Sequence, residues 1–167
     1  MRSHIQGSTE LTRLARIVED VSVAMLTTRD DDGNMASRPI ALLEMDAQGA
    51  LWFFTDLRSS TVEHLQAVNL SITKPLHPIY VSIAGFASLH TARADIDRLW
   101  TPLSRPWFPA GADSPHLALL KIVPQSVELW DSAHSKMVLL LARADPTPAV
   151  MSNGTSERAG QGVVASR

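Results

Sequence analysis

The sequence contains no cysteine, and this excludes disulfides, thiol nucleophiles and metal sites with cysteine ligands. The chain also lacks a large excess of either charge, because 15 basic and 17 acidic residues leave a formal net charge of −2. No strong overall field therefore favours nucleic acid or an anionic membrane as a partner. Aromatic residues are few, and all of them lie between Trp52 and Trp130, so the two ends of the chain differ in character from its middle.

Long hydrophobic runs are absent as well. Met137–Ala142 is among the longest and is far too short to cross a bilayer. Met1–Gly7 lacks the apolar core of a signal peptide. We therefore predict a soluble, cytoplasmic protein that binds neither membrane nor nucleic acid.

The 167 residues suit one domain of ordinary size. We place this domain at residues 1–145. From residue 146 onward the chain is rich in Gly, Ser and Ala and has no aromatic residue. Because such a composition gives little to bury, we interpret residues 146–167 as a weakly ordered tail.

Runs of branched and aromatic residues separated by turn residues fill the middle of the chain. They predict strands at 21–28, 35–45, 50–55, 69–73, 79–89, 117–123 and 126–130, the last two forming a hairpin around Pro124-Gln125. Helices are predicted at 9–20, 59–68 and 94–100, and a stiff loop rich in proline at 102–115. This pattern favours a mainly β protein, as an antiparallel barrel or sandwich. We favour the barrel because three short helices cannot cover an open sheet.

Familiar catalytic signatures are missing too. The six histidines are scattered without the spacing of metal ligands, so we predict no metal site. The chain has no P-loop, no G-x-G-x-x-G motif and no G-x-S-x-G elbow. No catalytic residue can be assigned from the sequence.

Two stretches suggest binding of an anion. The first is Ser37–Ile40 (SRPI), where Arg38 interrupts an apolar strand; a buried Arg is costly unless it meets an anion or a polar ring. The alternative is that Arg38 points outward. The second is Phe54–Thr61 (FTDLRSST), which runs from a strand end into a predicted helix start, where amides, hydroxyls and Arg58 favour phosphate. Its alternative is simple helix capping.

These stretches belong to a longer series of ordered motifs. The series comprises VAMLTT (Val23–Thr28), SRPI, LWFFTD (Leu51–Asp56), YVSIAGFASL (Tyr80–Leu89), DIDRLW (Asp95–Trp100), WFPAG (Trp107–Gly111) and VELWDS (Val127–Ser132). In this order and spacing the sequence resembles the FMN-binding split-barrel proteins related to pyridoxamine 5'-phosphate oxidase. Within them it is most similar to the bacterial general stress protein 26 family. The resemblance runs from about Leu11 to about Met137.

The resemblance implies a six-stranded antiparallel split β-barrel that forms a homodimer, with FMN sites at the subunit interface. It also implies the cofactor-binding residues, which are Arg38, Ile40, Phe54, Thr55, Arg58, Ser59, Ser60, Thr61, Tyr80, Trp107 and Trp130. Family members usually carry a Lys, often after another basic residue, where this chain has Ser60 and Thr61. Arg58 would then have to compensate from nearby, and FAD or weak FMN binding are the alternatives.

The expected function is that of a flavin-dependent oxidoreductase with a stress-related role. Its redox partner would be a nicotinamide nucleotide or another small molecule. Two alternatives stay open at this point. The chain could bind a flavin or another aromatic anion without turnover, or it could be a degenerate barrel that has lost its ligand.

Overall fold

The computed structural model describes residues 3–74, 76, 78–131 and 136–142. Helix α1 spans Ser3–Val18 and helix α2 spans Arg93–Leu99. The strands are β1 (Val23–Arg29), β2 (Met35–Met45), β3 (Leu51–Asp56), β4 (Ala67–Lys74), β5 (Ile79–His90), β6 (Leu117–Asp131) and β7 (Lys136–Ala142). Neither described helix is long and apolar enough to span a membrane. The tail predicted at 146–167 lies outside the described residues.

Six of the strands close into an antiparallel barrel. Their order is β3-β2-β1-β4-β5-β6, and the pairing of β3 with β6 completes the ring. β7 adds to the free edge of β6 beyond the part that pairs with β3. The mainly β class and the six-stranded antiparallel barrel predicted from the sequence are confirmed.

β6 is one continuous strand of 15 residues, so the hairpin predicted around Pro124-Gln125 is wrong. The first half of β6 pairs with β3 and the second half with β7. All residues of β5 pair with β6 across both halves. Pro124 lies opposite Gly85, where the β5–β6 register shifts. A Cβ atom on Gly85 would lie 2.5 Å from the Val123 carbonyl oxygen. The irregularity is therefore absorbed by a bulge that needs glycine, and the strand continues.

The helix predicted over 59–68 is also wrong. A short 3-10 turn, Val62–His64, takes its place, and β4 already begins at Ala67. The reason is the burial period of two residues along β4, which places Val68 and Leu70 in the core. Packing in the sheet thus outweighs the local capping signal.

Two hydrophobic cores lie on opposite sides of β3. The larger fills the barrel and is closed by Leu14, Ile17 and Val18 of α1. The smaller lies on the outer wall of β3 and β6, covered by α2 and the loop that follows it. Its buried members are Trp52, Phe54, Ile96, Leu99, Leu117 and Leu119. Because β3 is buried on both faces, its sequence is continuously apolar rather than alternating.

The turn between β2 and β3 is held by Asp46. Its carboxylate accepts hydrogen bonds from the Trp52 indole at 2.9 Å, the Ala50 amide at 2.9 Å and the Gln48 amide at 3.0 Å. Burial raises the pKa of Asp46, but these hydrogen bonds outweigh it and hold the pKa below its ordinary value. The ionised carboxylate therefore stabilises the fold.

Asp46→Ala should lower the free energy of unfolding by about 1–3 kcal/mol at pH 7, because it leaves part-buried donors unpaired. The folded pKa lies below the unfolded one, so this stabilisation is present above about pH 4 and is lost as the pH falls further. Urea denaturation at pH 7 and pH 3 would measure both effects. Asp32→Ala, at an exposed position in the β1–β2 turn, is the matched control. An equal loss for Asp46→Ala at both pH values would contradict the role of its charge.

Candidate functional site

An opening separates β2 from β3 at one end of the barrel. Within the described sheet the two strands pair from Leu42 to Met45 on β2 and from Leu51 to Phe53 on β3. Beyond this point β2 continues beside β1, and β3 continues beside β6. The two strands thus diverge, and no pairing joins them beyond Leu42 and Phe53 in the described sheet.

Arg38 lies on the β2 side of this opening. In the β1–β2 register it stands opposite Leu26, which is fully buried, so its side chain leaves the strand on the barrel side. The alternative that Arg38 points outward is therefore wrong. Its Nη1 donates to Thr61 Oγ1 at 3.3 Å and its Nη2 donates to Ser60 Oγ at 3.0 Å.

The hydroxyl groups come from the segment that follows β3. Ser59 Oγ accepts a hydrogen bond from the Thr61 amide at 3.2 Å and donates one to Thr61 Oγ1 at 3.0 Å. Thr61 is buried, whereas Ser60 is exposed. We call Arg38, Ser59, Ser60 and Thr61 the hydroxyl cradle. The sequence places these four residues in two separate stretches, and the structure brings them together.

The hydroxyl cradle has the donor set that a phosphate group needs. A guanidinium supplies charge and directed N–H groups, and three hydroxyls supply further donors. The helix N-terminus expected from the sequence is not there, so side chains rather than helix amides would do the binding. The residues present fit the phosphate of a flavin nucleotide.

Arg58 takes a different position. Its Nη2 donates to Asp56 Oδ2 at 2.7 Å, its Nε to Asp56 Oδ1 at 3.0 Å, and its backbone amide to the same Oδ1 at 2.8 Å. These hydrogen bonds lower the pKa of Asp56 to about 2, so its carboxylate is charged at any physiological pH. The structure therefore places Arg58 on Asp56 and not on the hydroxyl cradle. Sequence reasoning missed Asp56.

An apolar groove of about 460 Å³ lies beside β2. Its walls include Ala41–Leu43 of β2, Phe54 of β3, and Leu103, Ser104, Trp107 and Phe108 in the loop after α2. Trp107 lines it with half of its side chain exposed, and the Phe54 and Phe108 rings are 5.8 Å apart. None of the twelve lining residues carries an ionisable side chain. Phe54 and Trp107, which the sequence places far apart, meet here.

The remaining predicted residues lie elsewhere. Ile40 packs against the barrel core, and Thr55 is buried on β3. Tyr80 and Trp130 are neighbours across the β5–β6 ladder, and both face outward, 49% and 36% exposed. Neither residue lines the groove within one chain.

A family model described as "Pyridoxamine 5'-phosphate oxidase like" matches residues 9–147 of the chain. This range includes the hydroxyl cradle, the groove and all seven strands. A comparison with curated proteins found no match.

Solved structures share the barrel. A Clostridium acetobutylicum protein related to general stress protein 26 is 20% identical with a TM-score of 0.67, over 79% of this chain and 94% of that one. A putative general stress protein 26 from Jannaschia is 25% identical with a TM-score of 0.61, over 73% and 78%. A general stress FMN/FAD binding protein from Xanthomonas citri is 22% identical with a TM-score of 0.62, over 95% and 99%. The likeness to these structures supports the fold.

Proposed function

The chain belongs to the pyridoxamine 5'-phosphate oxidase-like family, and from this premise we propose that it is a flavin-dependent oxidoreductase with FMN or FAD as its cofactor. The observation that carries this proposal is the hydroxyl cradle at the opening between β2 and β3, with the apolar groove on the outer face of the same two strands. The Xanthomonas citri relative is described as binding FMN and FAD, which supports a flavin here. The general stress relatives favour a role under stress.

The flavin phosphate would bind to the hydroxyl cradle and the ring would lie in the groove. Both places lie along β2, with Arg38 three residues before the groove residue Ala41 and therefore on the opposite face of the strand. A ribityl chain of five carbons joins ring and phosphate in a flavin nucleotide, so the two groups need separate binding places. Phe54 and Trp107 would pack against the ring, since aromatic pairs favour stacked or edge-on contact.

Bound flavin would supply hydride or electron transfer with a nicotinamide nucleotide or another small redox partner. The chain's own contribution is different. The groove side chains exclude water from one side of the ring, and the hydroxyl cradle fixes its orientation. Because the groove has no ionisable side chain, no protein acid or base is assigned to proton transfer there.

We propose that two copies of the chain form a homodimer. The outer faces of β1, β4 and β5 carry mainly uncharged side chains, and Met25, Ser71 and Ser82 lie in one row across the strands. Val23 and Met25 expose about two-fifths of their surface on this wall. A partner covering it could bring Tyr80 and Trp130 to the other copy's groove. Sedimentation equilibrium would test this, and a monomer at micromolar concentration would refute it.

The proposal is tested by the absorption spectrum of the purified protein during titration with FMN or FAD, followed by addition of NADH or NADPH under anaerobic conditions. Binding should give a flavin spectrum with shifted maxima, and addition of the nicotinamide nucleotide should bleach it faster than free flavin. A preparation whose flavin spectrum stays that of free flavin at every concentration would refute flavin binding.

A second function is favoured by the lack of ionisable side chains in the groove. The chain would then hold a flavin for storage or sensing and would not turn it over. This function would be supported over the oxidoreductase if the flavin binds but is not reduced by NADH, by NADPH or by chemical electron donors of similar size.

A further inference from the structure

The hydroxyl cradle contains one cation, Arg38, although a second, Arg58, stands next to its Ser59–Thr61 segment. Arg58 is two positions from Ser60, yet two hydrogen bonds hold its guanidinium on the Asp56 carboxylate. Arg58 and Asp56 also line a small cavity of about 120 Å³ together with Trp107 and Pro109. The guanidinium thus faces the loop after α2, and Arg38 is left as the cation of the cradle.

The Asp56–Arg58 pair is fixed by the backbone. Asp56 is the last residue of β3 and pairs with Leu117 of β6 in the ladder. Its carbonyl accepts the Ser59 amide at 2.9 Å, which closes the turn in which Arg58 stands. The backbone therefore sets the two side chains beside each other, and the pair forms within the chain alone, with two-thirds of the Arg58 side chain exposed.

One guanidinium does not balance a phosphate monoester, which carries a charge of about −1.5 to −2 at pH 7. The three hydroxyls add hydrogen bonds but no charge. Ser60 is exposed, so water competes for the same oxygens. The phosphate would consequently be bound less tightly than if Arg58 also contacted it.

We infer that the chain holds its flavin as an exchangeable ligand and not as a permanently bound group, and that Asp56 sets this property by keeping Arg58 away from the phosphate. The inference rests on the proposed flavin binding. It makes Asp56 a specificity-determining residue, which acts through Arg58 without touching the ligand.

Two variants test it. Asp56→Asn releases Arg58, and Ser60→Lys adds a cation to the cradle directly. A new charge-assisted hydrogen bond should tighten FMN binding by about tenfold or more and slow FMN release by a similar factor. Riboflavin has no phosphate, so its affinity should stay within about twofold of the wild type in both variants.

The measurements are fluorescence titrations with FMN and riboflavin, and release of bound FMN after mixing with excess riboflavin. Asp97→Asn is the control for Asp56→Asn, because it removes the charge of another Asp paired with an Arg, on α2. Gln48→Lys is the control for Ser60→Lys, because it adds a charge at an exposed turn at the opposite end of β3. Both controls should leave FMN affinity unchanged.

Wild-type protein should lose FMN on gel filtration, and the two variants should retain more of it. Wild-type protein that keeps a full complement of FMN would overturn the inference, and so would an FMN affinity of either variant within about twofold of the wild type. These results leave flavin binding itself intact. If wild-type protein binds neither FMN nor riboflavin, the proposed function fails, and the inference fails with it.

Discussion

Arg38→Ala is expected to weaken FMN binding by about tenfold or more, because a hydrogen bond to a charged group contributes about 1.5–3 kcal/mol. Arg38 is the cation of the hydroxyl cradle, and its two nitrogens already lie at hydrogen-bond distance from the Ser60 and Thr61 hydroxyls. Without it, three neutral hydroxyls would face a phosphate of about two negative charges. The loss should appear mainly in the rate of FMN release.

Fluorescence titration of Arg38→Ala with FMN and with riboflavin would separate two roles of this residue. A loss confined to FMN is expected, because only FMN carries the phosphate. An equal loss for both ligands would mean that Arg38 shapes the opening and does not bind phosphate. Arg13→Ala, on an exposed position of α1, is the matched control and should bind both ligands as the wild type does. Unchanged FMN affinity in Arg38→Ala would contradict the assignment.

Leu120→Ala should lower the free energy of unfolding by about 3 kcal/mol or more. Leu120 has no exposed surface and lies on β6 opposite Phe53 of β3, where the barrel closes. Removing its side chain leaves a cavity in the barrel core, which the closed ring of paired strands cannot collapse to fill. Urea denaturation followed by tryptophan fluorescence would measure the change.

Leu76→Ala is the control for Leu120→Ala, because it makes the same chemical change at a side chain that is 91% exposed. It should change stability by no more than about 0.5 kcal/mol. If Leu120→Ala were equally mild, the closure of the barrel between β3 and β6 would be contradicted.

The barrel could be predicted from the sequence because most strands follow a pattern of alternating burial or of continuous apolar residues. The errors have a common physical cause. Pro124-Gln125 looks like a turn locally, but pairing with β3, β5 and β7 keeps β6 extended across it. Ser60 and Glu63 resemble a capping box, yet the need to bury Val68 and Leu70 in the sheet prevents a helix. Both errors arise where distant pairing outweighs a local signal.

The candidate site was also predictable only in part from the sequence. Arg38 and the Ser59–Thr61 segment are recognisable separately, and the structure adds that they share hydrogen bonds. The sequence does not reveal that Arg58 bonds to Asp56, because residues two apart on a turn can face either way. Tyr80 and Trp130 remain predictions, since their place near a flavin depends on a second copy of the chain.

The pairing of β3 with β6 also determines when the barrel can form during synthesis. Strands β1 to β3 are joined by short turns and can pair as soon as they leave the ribosome. The edge of β3 that faces β6 stays unpaired until Leu117–Ile122 are synthesised. These residues follow β4, β5, α2 and the proline-rich loop in the chain. An unpaired apolar edge can pair with other chains. Slow translation past the fifth strand should therefore raise the fraction of nascent chains that aggregate, and synthesis of the sixth strand ends that exposure.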